Sequence, residues 1–511
     1  MIFLYGPPGS GKTTVGQRLA ANLNLSLWDL DDEIEGLDGR GIPQIFAADG
    51  EAGFRERERA TLQKILARGE GIIALGGGAL LSSENLALVE KAGPVLCLTA
   101  PFEILLARLQ TAETPRPLLA GNASVRLQEL LEQRAAHYAS FPLHFDSGSL
   151  APEQIAWEMQ LALGVFHVQG MGEGCDVRVT PAGLKTVGEA LEVRGLLDSL
   201  ALISDKNVGE RYAPRVLESL EKVGYRPRSI FLPVGEAYKT IQTVQQVWEA
   251  FVNGEIERDS TVLALGGGVV GDLAGFAAAT FGRGVRWVVL PTTLLAMVDA
   301  SLGGKTGIDL PQGKNLVGAF HPPSLVLADS DCLATLPKAE LLSGLAEVVK
   351  HGVIGDAALF GACAQGWAAL QADWAAVVRR GMGVKVRIIQ ADPFEKGLRA
   401  VLNFGHTIGH AVERLSEYRL RHGEAVAIGM VAETRLAERL GLAEAGLTER
   451  LAGVLRGLGL PTEIPSPMSR TAILQVVQLD KKRRAGRLRF ALPKSIGEVE
   501  VVPVDEAVIL E

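Results

Sequence analysis

The sequence feature that most constrains this chain is the stretch GPPGSGKTT, which begins at Gly6 and directly follows the apolar run MIFLY. It fits the pattern G-x-x-x-x-G-K-[ST], and VGQRLAANL after it has helical spacing of apolar residues. A glycine-rich loop between a strand and a helix collects backbone N–H groups that bind phosphate. We therefore expect ATP to bind here, with Lys12 on its phosphates and Thr13 on Mg²⁺. The predicted ATP-binding residues are Gly6, Gly9, Ser10, Gly11, Lys12, Thr13 and Thr14.

The composition excludes several classes of protein. The 51 Lys and Arg residues against 59 Asp and Glu residues give a net charge of −8, which argues against a general nucleic-acid binder. No apolar stretch is long enough to span a membrane, and MIFLY lacks the basic start of a signal peptide. The four cysteines are far apart, which favours buried thiols in a reducing compartment, so we expect a cytoplasmic protein.

Hydrophobic patterns along the 511 residues predict an α/β chain of three domains. Short apolar runs alternate with amphipathic stretches over residues 1–163, which is typical of a parallel sheet flanked by helices. The glycine-rich residues 164–175 are interpreted as a linker. The alternation resumes over residues 176–321, whereas residues 322–511 have mainly helical spacing, with a terminal hairpin expected after about Leu460. We find no repeat.

Carboxylates downstream of the phosphate loop could hold the acceptor of a phosphoryl group. The stretch WDLDDEIE places Asp29, Asp31 and Asp32 at a strand end, where a carboxylate can bind a hydroxyl group or a metal-bound water. The alternative is a helix N-cap at Asp32, because Glu33 and Glu35 follow it. Taken alone, these acidic residues leave both interpretations open.

Three arginines complete the candidate kinase site. Arg55 lies in GFRERE, Arg116 in TPRPLL and Arg134 in EQRAAHY, and each arginine taken alone is an ordinary surface residue. Together with the phosphate loop, the D-x-D pair and the GGG of ALGGGALL, they follow the order found in shikimate kinase, which residues 1–163 resemble. The resemblance implies that Arg116 closes over the phosphates, that Asp29 assists Mg²⁺ and that Lys12, Asp31 and Arg116 are catalytic. The implied shikimate-binding residues are Asp31, Arg55, Gly76, Gly77, Gly78 and Arg134.

The letters ALGGG recur at Ala264, where they continue as VVGD. This copy satisfies G-x-G-x-x-G through Gly266, Gly268 and Gly271, whereas the first copy has Leu81 at the last position. No acidic residue follows about 20 positions later, so the usual dinucleotide fingerprint is incomplete. An NAD site of a different layout and a plain strand end with a tight turn both fit this stretch.

Histidines suggest a metal site in the helical region. Three of the eight histidines fall within NFGHTIGHAVERLSEYRLRHGEAV, and His406 and His410 are four residues apart on one helix face. Spacing alone therefore selects His406 and His410 as metal ligands, with GLAEVVK adding Glu347 and Lys350 on another helix. A histidine satisfied within the protein is the alternative at each position.

Cations in glycine-rich surroundings suit a small substrate that carries phosphate and carboxylate groups. The basic stretch DKKRRAGRLR at residues 480–489 is either a solvated face or a local anion site. The other cations that suggest this anionic substrate are Arg283, Lys305, Lys314, Lys350, Lys385 and Arg399.

Residues 176–511 resemble 3-dehydroquinate synthase through GGGVVGDLAGF, PTTLLAMVD, SLGGKT, GKNLVGAF, SGLAEVVK, NFGHTIGH, HGEAVAIGM and DKK in this order. This family uses Zn²⁺ (or Co²⁺) and NAD to convert 3-deoxy-D-arabino-heptulosonate 7-phosphate into 3-dehydroquinate with loss of phosphate. The resemblance implies Glu347, His406 and His422 as metal ligands and makes His410 a catalytic neighbour, which replaces the pair selected by spacing. The implied NAD-binding residues are Asp205, Glu236, Lys239, Gly267, Gly268, Asp272, Thr292 and Thr293.

The same resemblance implies a substrate clamp rich in cations, in which Arg283, Lys305, Lys350 and Lys385 act in catalysis with His410. Lys481 or its neighbour Lys482 would close the clamp. The implied substrate-binding residues are Asp299, Lys305, Lys314, Asn315, Lys350, Lys385, Arg399, Asn403, His410 and Lys481.

These observations predict a bifunctional enzyme of the shikimate pathway, an N-terminal P-loop kinase fused to a synthase with a Rossmann-like NAD domain and a helical metal domain. We expect only small-molecule partners, which are shikimate, ATP and the heptulosonate phosphate, and a homodimer formed through the synthase half. The alternatives are another P-loop kinase of small molecules, a metal-dependent oxidoreductase similar to glycerol dehydrogenase, and a pair of nucleotide-sensing modules.

Overall fold

A computed structural model describes residues 1–111, 122–196, 198–481 and 488–505, with the backbone alone at residues 479–481. The chain divides into two compact units, residues 1–163 and 164–511. Arg116, Lys482 and most of the basic stretch lie outside the described residues, as does the side chain of Lys481.

The first unit is built on a parallel sheet of five strands in the order β2-β3-β1-β4-β5. The central strand is buried along its whole length, as expected for a parallel strand covered by helices on both faces. The strands are β1 (Ile2–Tyr5), β2 (Leu27–Asp29), β3 (Ile72–Ala74), β4 (Val95–Thr99) and β5 (Leu143–Asp146). The helices are α1 (Lys12–Leu23), α2 (Leu30–Asp38), α3 (Ile42–Leu66), α4 (Ser83–Ala92), α5 (Phe102–Gln110), α6 (Ala123–Ala139) and α7 (Pro152–Leu163).

The phosphate loop connects β1 to α1, as the sequence predicts. Gly6 adopts a φ of +137°, and a Cβ atom there would lie 2.1 Å from the carbonyl oxygen of Leu98 on β4. Only glycine combines this backbone conformation with so close an approach to the neighbouring strand. The loop therefore opens at the carboxyl edge of the sheet, where open α/β folds bind their ligands.

The second unit contains a sheet of seven strands in the order β6-β7-β14-β11-β10-β8-β9, in which only β6 runs antiparallel to its neighbour. Its strands are β6 (Val165–Val168), β7 (Cys175–Val179), β8 (Leu200–Asp205), β9 (Arg228–Leu232), β10 (Thr261–Gly266), β11 (Arg286–Pro291) and β14 (Leu325–Ala328). The helices of this part are α8 (Val187–Glu192), α9 (Lys206–Lys222), α10 (Ile241–Asn253) and α11 (Gly268–Thr280), and a separate hairpin pairs β12 (Lys305–Leu310) with β13 (Gly313–Phe320).

The interpretation of residues 164–175 as a linker is wrong. Val165–Val168 forms β6 at the edge of the second sheet, and residues 170–174 are the turn that joins β6 to β7. Three glycines of this turn have positive φ values between 62° and 93°, so the glycine-rich signal marks a hairpin turn within the unit.

The boundary at residue 322 is also corrected. The strand β14 (Leu325–Ala328) lies beyond it, inserted between β7 and β11. Its four residues are all buried, and so short an apolar run has no period that distinguishes strand from helix. The sheet therefore continues to Ala328 before the helical region begins.

The helical region ends in the predicted hairpin, which pairs β15 (Leu488–Ser495) with β16 (Glu498–Val504). Its helices are α12 (Lys338–Gly355), α13 (Ala357–Ala364), α14 (Trp367–Ala372), α15 (Trp374–Ala391), α16 (His406–Leu415), α17 (His422–Arg439), α18 (Leu447–Leu458) and α19 (Arg470–Lys481).

Two expectations from composition are met by the described part of the chain. All four cysteines are buried free thiols. Among the described helices, none combines the length and apolar character needed to cross a membrane.

Candidate functional sites

The phosphate loop of the first unit brings Thr13 and Asp29 together. The Thr13 hydroxyl donates to a carboxylate oxygen of Asp29 at 2.7 Å, and the Lys12 ammonium donates to the carbonyls of Gly6 and Pro7 at 3.0 Å each. Asp29 is also the N-cap of α2, since its other oxygen accepts from the amide of Asp31. The N-cap is therefore Asp29 and not Asp32, and a hydroxyl and a carboxylate are positioned to bind Mg²⁺ or its waters.

The expected shikimate-binding residues meet beside this loop. A Cβ atom at Gly78 would lie 2.9 Å from Nη2 of Arg55 and 3.2 Å from Nη1 of Arg134, and one at Gly76 would lie 3.1 Å from Asp31 Oδ1. Two guanidinium groups therefore lie next to the backbone of Gly78, and one carboxylate lies next to the backbone of Gly76. Such a pocket suits an acid that also carries hydroxyl groups.

A carboxylate that lies outside the sequence motifs orients Arg55. Glu58 is 1% exposed, and both its oxygens accept hydrogen bonds from Nη1 of Arg55, at 3.0 and 2.9 Å. Burial raises the pKa of Glu58, although the facing guanidinium of Arg55 opposes this effect. The three-residue separation of Arg55 and Glu58 on a helix is the signal that could have revealed this pair.

The Gly77 carbonyl oxygen is the second contact that the sequence did not reveal. It accepts hydrogen bonds from the hydroxyl of Tyr138 at 2.7 Å, from Nη1 of Arg134 at 3.0 Å and from the hydroxyl of Tyr5 at 3.3 Å. These three donors fix the orientation of the peptide group that links two of the predicted substrate-binding glycines.

The second unit contains a cavity of about 1940 Å³ between the carboxyl ends of its strands and the helical region. The second GGG stretch ends β10 and starts α11 at the cavity wall. The predicted residues that line the cavity are Asp205, Glu236, Lys239, Gly267, Gly268, Asp272, Thr292, Thr293, Asp299, Lys305, Lys314, Asn315, Lys350, Lys385, Arg399, Asn403, His406, His410 and His422. A site distributed over 200 residues of sequence is thus assembled by the fold.

The sheet side of the cavity contains the predicted NAD-binding residues. Lys239 is buried, and its ammonium donates to Asp272 Oδ2 at 2.6 Å. Burial raises the pKa of Asp272, while Lys239 acts in the opposite direction. Asp205 caps α9 by accepting from the amide of Val208 at 3.0 Å. On this side of the cavity, hydrogen bonds therefore fix the side chains of Lys239, Asp272 and Asp205, and the backbone of Gly267 and Gly268 lines the same cavity.

The opposite side presents buried cations. The Lys385 ammonium donates to Asp299 Oδ1 at 2.8 Å. Burial favours the neutral acid of Asp299, but Lys385 and Lys350 outweigh it and lower the pKa of this carboxyl. Burial also lowers the pKa of Lys385 itself. Arg399 is buried and donates to the carbonyl of Pro393 at 2.6 Å. The structure therefore brings these predicted cations together on one wall of the cavity.

Glu347, His406 and His422 form a cluster whose potential ligand atoms all lie within 4.8 Å of one another. Glu347 is fully buried on α12, beside the ammonium of Lys350, whereas the histidines are the first residues of α16 and α17. Nε2 of His406 lies 3.6 Å from Glu347 Oε1, and Nε2 of His422 lies 3.5 Å from the same oxygen.

Close packing of α16 on α17 brings the two histidines together. A Cβ atom at Gly429 would lie 1.9 Å from the carbonyl oxygen of Gly405, so the two backbones touch at this point. The ring centroids of His406 and His422 are consequently 5.3 Å apart. Glycine at this crossing therefore allows the close approach that brings the two histidines together.

The pair selected by histidine spacing is not the cluster that the structure assembles. The ring centroids of His410 and His406 are 5.0 Å apart. However, the residues whose possible ligand atoms lie within 4.8 Å of one another together with His410 are Glu413 and His422, not His406. His410 is exposed at the cavity wall, which fits the neighbouring role implied by resemblance. A second departure concerns Arg283, which is exposed in the turn after α11 and does not line this cavity.

The donor set fits a transition metal. One carboxylate and two imidazoles are typical ligands of catalytic Zn²⁺, and they leave a coordination position for a substrate or water. Burial lowers the pKa of His406, which favours the neutral ring that binds a metal. Burial acts in the same direction on His422, but contacts with Glu347 and Glu413 outweigh it and raise its pKa to about 9.

Comparison with known proteins identifies relatives of both units. Residues 8–163 match the shikimate kinase family, and residues 229–343 and 344–483 match the N-terminal and C-terminal families of 3-dehydroquinate synthase. The 3-dehydroquinate synthase of Nostoc punctiforme is 46% identical over 65% of this chain and 94% of its own length. That of Xanthomonas campestris pv. campestris is 50% identical over 63% of this chain and 90% of its own.

Solved structures also resemble the second unit. The 2-epi-5-epi-valiolone synthase of Streptomyces hygroscopicus, with NAD⁺ and Zn²⁺ bound, is 32% identical over 67% of this chain and 96% of that chain, with a TM-score of 0.60. A 2-deoxy-scyllo-inosose synthase complexed with carbaglucose-6-phosphate, NAD⁺ and Co²⁺ is 26% identical over 68% of this chain and 98% of that chain, with the same TM-score.

Proposed function

Since the chain belongs to the 3-dehydroquinate synthase family and its first unit to the shikimate kinase family, we propose how its two sites carry out these two reactions. The chain is a bifunctional enzyme of aromatic biosynthesis. One unit phosphorylates shikimate with ATP, and the other converts 3-deoxy-D-arabino-heptulosonate 7-phosphate into 3-dehydroquinate and phosphate. The observation that carries the assignment of the second site is the cluster of Glu347, His406 and His422, whose two histidines line a cavity that is also lined by several cations.

In the kinase site, the loop from Gly6 to Thr14 binds the phosphates of ATP. The Thr13 hydroxyl and the Asp29 carboxylate, which are in contact, bind Mg²⁺ or its waters. Lys12 neutralises charge on the phosphoryl group during transfer. Arg116, which lies outside the described residues, is proposed as the cation that closes over the phosphates.

Shikimate occupies the space between the GGG backbone and the two arginines. Its carboxylate pairs with Arg55 and Arg134, whose guanidinium groups both lie near Gly78. Asp31 accepts a hydrogen bond from a ring hydroxyl and orients it towards the phosphoryl group. The buried Glu58 holds Arg55 in place, so the carboxylate end of the substrate binds to a preformed group.

In the synthase site, Glu347, His406 and His422 are proposed to hold Zn²⁺ or Co²⁺. A bound metal would supply a Lewis acid for a substrate hydroxyl, and bound NAD would supply a reversible hydride acceptor. The backbone of Gly267 and Gly268 is proposed to contact NAD directly, because these residues have no side chain to keep the dinucleotide away. The other proposed contacts of NAD are Asp205, Glu236, Lys239, Asp272, Thr292 and Thr293.

The cations of the cavity orient the substrate and stabilise its charges. Lys385 and Lys350 face Asp299, so their ammonium groups are fixed near the metal cluster. Lys305 contacts Glu395, and Arg399 is held by the carbonyl of Pro393. The remaining proposed substrate contacts are Lys314, Asn315, Asn403, His410 and one lysine of the pair 481 and 482.

We propose that the synthase half works as a homodimer, because the predicted catalytic residue Arg283 lies outside the cavity of its own chain. A second copy would let Arg283 reach the cavity of its partner. Mixing an Arg283→Ala chain with a His406→Ala chain tests this proposal, since a shared site regains activity in the mixed dimer. Failure to regain activity in confirmed mixed dimers would contradict it.

The proposed location is the cytoplasm. This proposal is supported by the four cysteines, which are buried as free thiols, as is usual in a reducing compartment. Fractionation of cells expressing the tagged chain tests this proposal, because enrichment outside the cytoplasm would contradict it.

Product analysis tests both proposed reactions. With ATP, Mg²⁺ and shikimate, the chain is expected to form shikimate 3-phosphate. With NAD, Zn²⁺ and the heptulosonate phosphate, it is expected to release phosphate and 3-dehydroquinate in equal amounts without accumulating NADH. Accumulation of NADH would instead indicate a metal-dependent oxidoreductase.

A further inference from the structure

A buried carboxylate that the proposed mechanism does not use lies behind the metal cluster. Glu413, on α16, is 7% exposed, and its Oε2 lies 3.5 Å from Nδ1 of His422. Its other oxygen, Oε1, accepts from the ammonium of Lys314 at 3.2 Å. One carboxylate thus connects a proposed metal ligand with a cation of the cavity wall.

The two histidines of the cluster are oriented in the same way. In His406, Nε2 faces Glu347 and Nδ1 lies 3.2 Å from the carbonyl oxygen of Phe404. In His422, Nε2 faces Glu347 and Nδ1 faces Glu413. A neutral imidazole has one N–H group, so an acceptor beside Nδ1 selects the tautomer whose Nε2 lone pair points towards the metal.

The source of this acceptor differs between the two rings. For His406 it is a backbone carbonyl, which no substitution removes. For His422 it is the side chain of Glu413, and its negative charge makes the ring a stronger ligand than a neutral acceptor would. The contribution of Glu413 can therefore be measured by substitution.

Lys314 is the cation placed to compete with His422 for the charge of Glu413. Its ammonium contacts Glu413 and lies 4.7 Å from the centre of the Tyr418 ring. The lysine also lines the cavity close enough to Glu236 for the two charges to interact. An anionic group bound in the cavity would attract this ammonium away from Glu413.

We propose that Glu413 is a positioning residue that couples metal binding at His422 to anion binding at Lys314. When a phosphate or carboxylate group binds Lys314, the ammonium moves away from Glu413. The negative charge of Glu413 then acts on His422 without this competing cation, and the metal binds more tightly. By thermodynamic linkage, the bound metal strengthens anion binding by the same factor. This inference rests on the proposed metal site formed by Glu347, His406 and His422.

The first test measures Co²⁺ affinity by competition with a chromophoric chelator. Glu413→Gln is expected to weaken Co²⁺ binding about 10- to 100-fold, the usual cost of losing a residue that orients a ligand, and to alter the visible spectrum of bound Co²⁺. Lys314→Met is expected to strengthen Co²⁺ binding, because it removes the competing ammonium. Glu417→Gln is the matched control, since Glu417 is exposed and contacts Arg419.

The second test adds anions to the same titration. NAD⁺, the heptulosonate phosphate and inorganic phosphate are added separately, which distinguishes cofactor from substrate as the source of the anion. At least one of them is expected to tighten Co²⁺ binding about threefold or more in the wild-type chain, equivalent to a coupling of roughly 0.65 kcal/mol. Neither Glu413→Gln nor Lys314→Met should show this change.

Three results would overturn the proposal. The first is that Glu413→Gln has the same Co²⁺ affinity and spectrum as the control Glu417→Gln. The second is that Glu413→Gln and Lys314→Met change the Co²⁺ affinity in the same direction. The third is a wild-type affinity that no anion changes. A wild-type chain that binds no Co²⁺ would instead refute the metal site itself, so the two failures are distinguishable. Urea denaturation of the metal-free variants shows whether a loss of affinity reflects unfolding.

Discussion

At the residue scale, the proposed shikimate pocket depends on the absence of a side chain at one glycine. Gly78 lies against the guanidinium groups of Arg55 and Arg134, and its backbone conformation is one that alanine can adopt. A substitution there would act through the space that the added methyl group occupies. Gly36, on the exposed side of α2, offers a comparison because a Cβ atom there would meet nothing within 4 Å.

Gly78→Ala is expected to raise the KM for shikimate by about tenfold or more, because it displaces the two guanidinium groups that are proposed to bind the substrate carboxylate. The KM for ATP should change by no more than about twofold, since the phosphate loop is untouched. Steady-state kinetics with each substrate varied in turn measures both values. Gly36→Ala is the control, and equal shikimate KM values for the two variants would contradict the proposed pocket.

Which residues could be predicted from the sequence depends on whether a motif contains them. The phosphate loop and the Glu347, His406 and His422 set lie within recognisable motifs. Glu58 and Glu413 do not, because each acts by contacting another side chain. Helical spacing permits the contact of Glu58 with Arg55, whereas the contact of Glu413 with His422 joins two helices and depends on their packing. The same reason explains why histidine spacing alone selected His410.

At the scale of elements, the metal cluster depends on the crossing of α16 and α17. The first residue of each helix is a proposed ligand, and Gly429 allows their backbones to touch. A buried carboxylate strengthens this arrangement, since Glu433 on α17 accepts from the amides of Gly405 and Ile408 at the start of α16. Small changes at this crossing would therefore move the ligands relative to each other.

Gly429→Ala is expected to destabilise the second unit by about 1–3 kcal/mol, the usual cost of overpacking a tight interior. It should also weaken Zn²⁺ binding, because the helices must separate. Urea denaturation and chelator competition measure the two effects. Gly453→Ala on α18 adds a methyl group in open space, so it should cause neither change. Zn²⁺ affinity equal in both variants would contradict this account.

Metal removal is expected to separate the two activities. A chelator selective for transition metals, applied in excess Mg²⁺, should abolish heptulosonate phosphate turnover and leave shikimate phosphorylation unchanged. The physical reason is that the kinase site offers a hydroxyl and a carboxylate, which suit Mg²⁺, whereas the synthase site offers imidazoles. Restoration by Zn²⁺ completes the measurement, and synthase activity that survives complete metal removal would contradict the proposal.

Most elements of both sheets could be predicted because their apolar runs are long or bounded by clear turns. The exceptions are β6 and β14, which the sequence pattern placed in a linker and in the helical region, although at four residues they are no shorter than β1 or β5. So short a run becomes a strand only when neighbouring strands pair with it, and that pairing partner is distant in sequence for β14. Strand pairing is therefore the information that the local pattern lacks.

At the scale of the whole molecule, the chain consists of two units that divide after Leu163. Each unit has its own sheet and contains all the described residues proposed for its reaction. The strand β6, which the sequence pattern placed in a linker, contributes buried Phe166 and Val168 to the second unit, and His167 contacts Asp176 at 2.7 Å.

Separate expression of the units tests this division. The chain 164–511 is expected to retain synthase activity, whereas the chain 176–511 should be less stable by about 3–6 kcal/mol, the value of burying a Phe and a Val side chain. Thermal and urea denaturation compare the two. Equal stability would contradict the expected contribution of β6 to the second unit.

The central claim is that one chain contains two independent active sites, and the most direct measurement assays both reactions on the same preparations. Lys12→Ala should lose shikimate phosphorylation and retain phosphate release from the heptulosonate phosphate. His406→Ala should show the reverse pattern, with the wild-type chain active in both assays. Loss of both activities in either folded variant would contradict the claim.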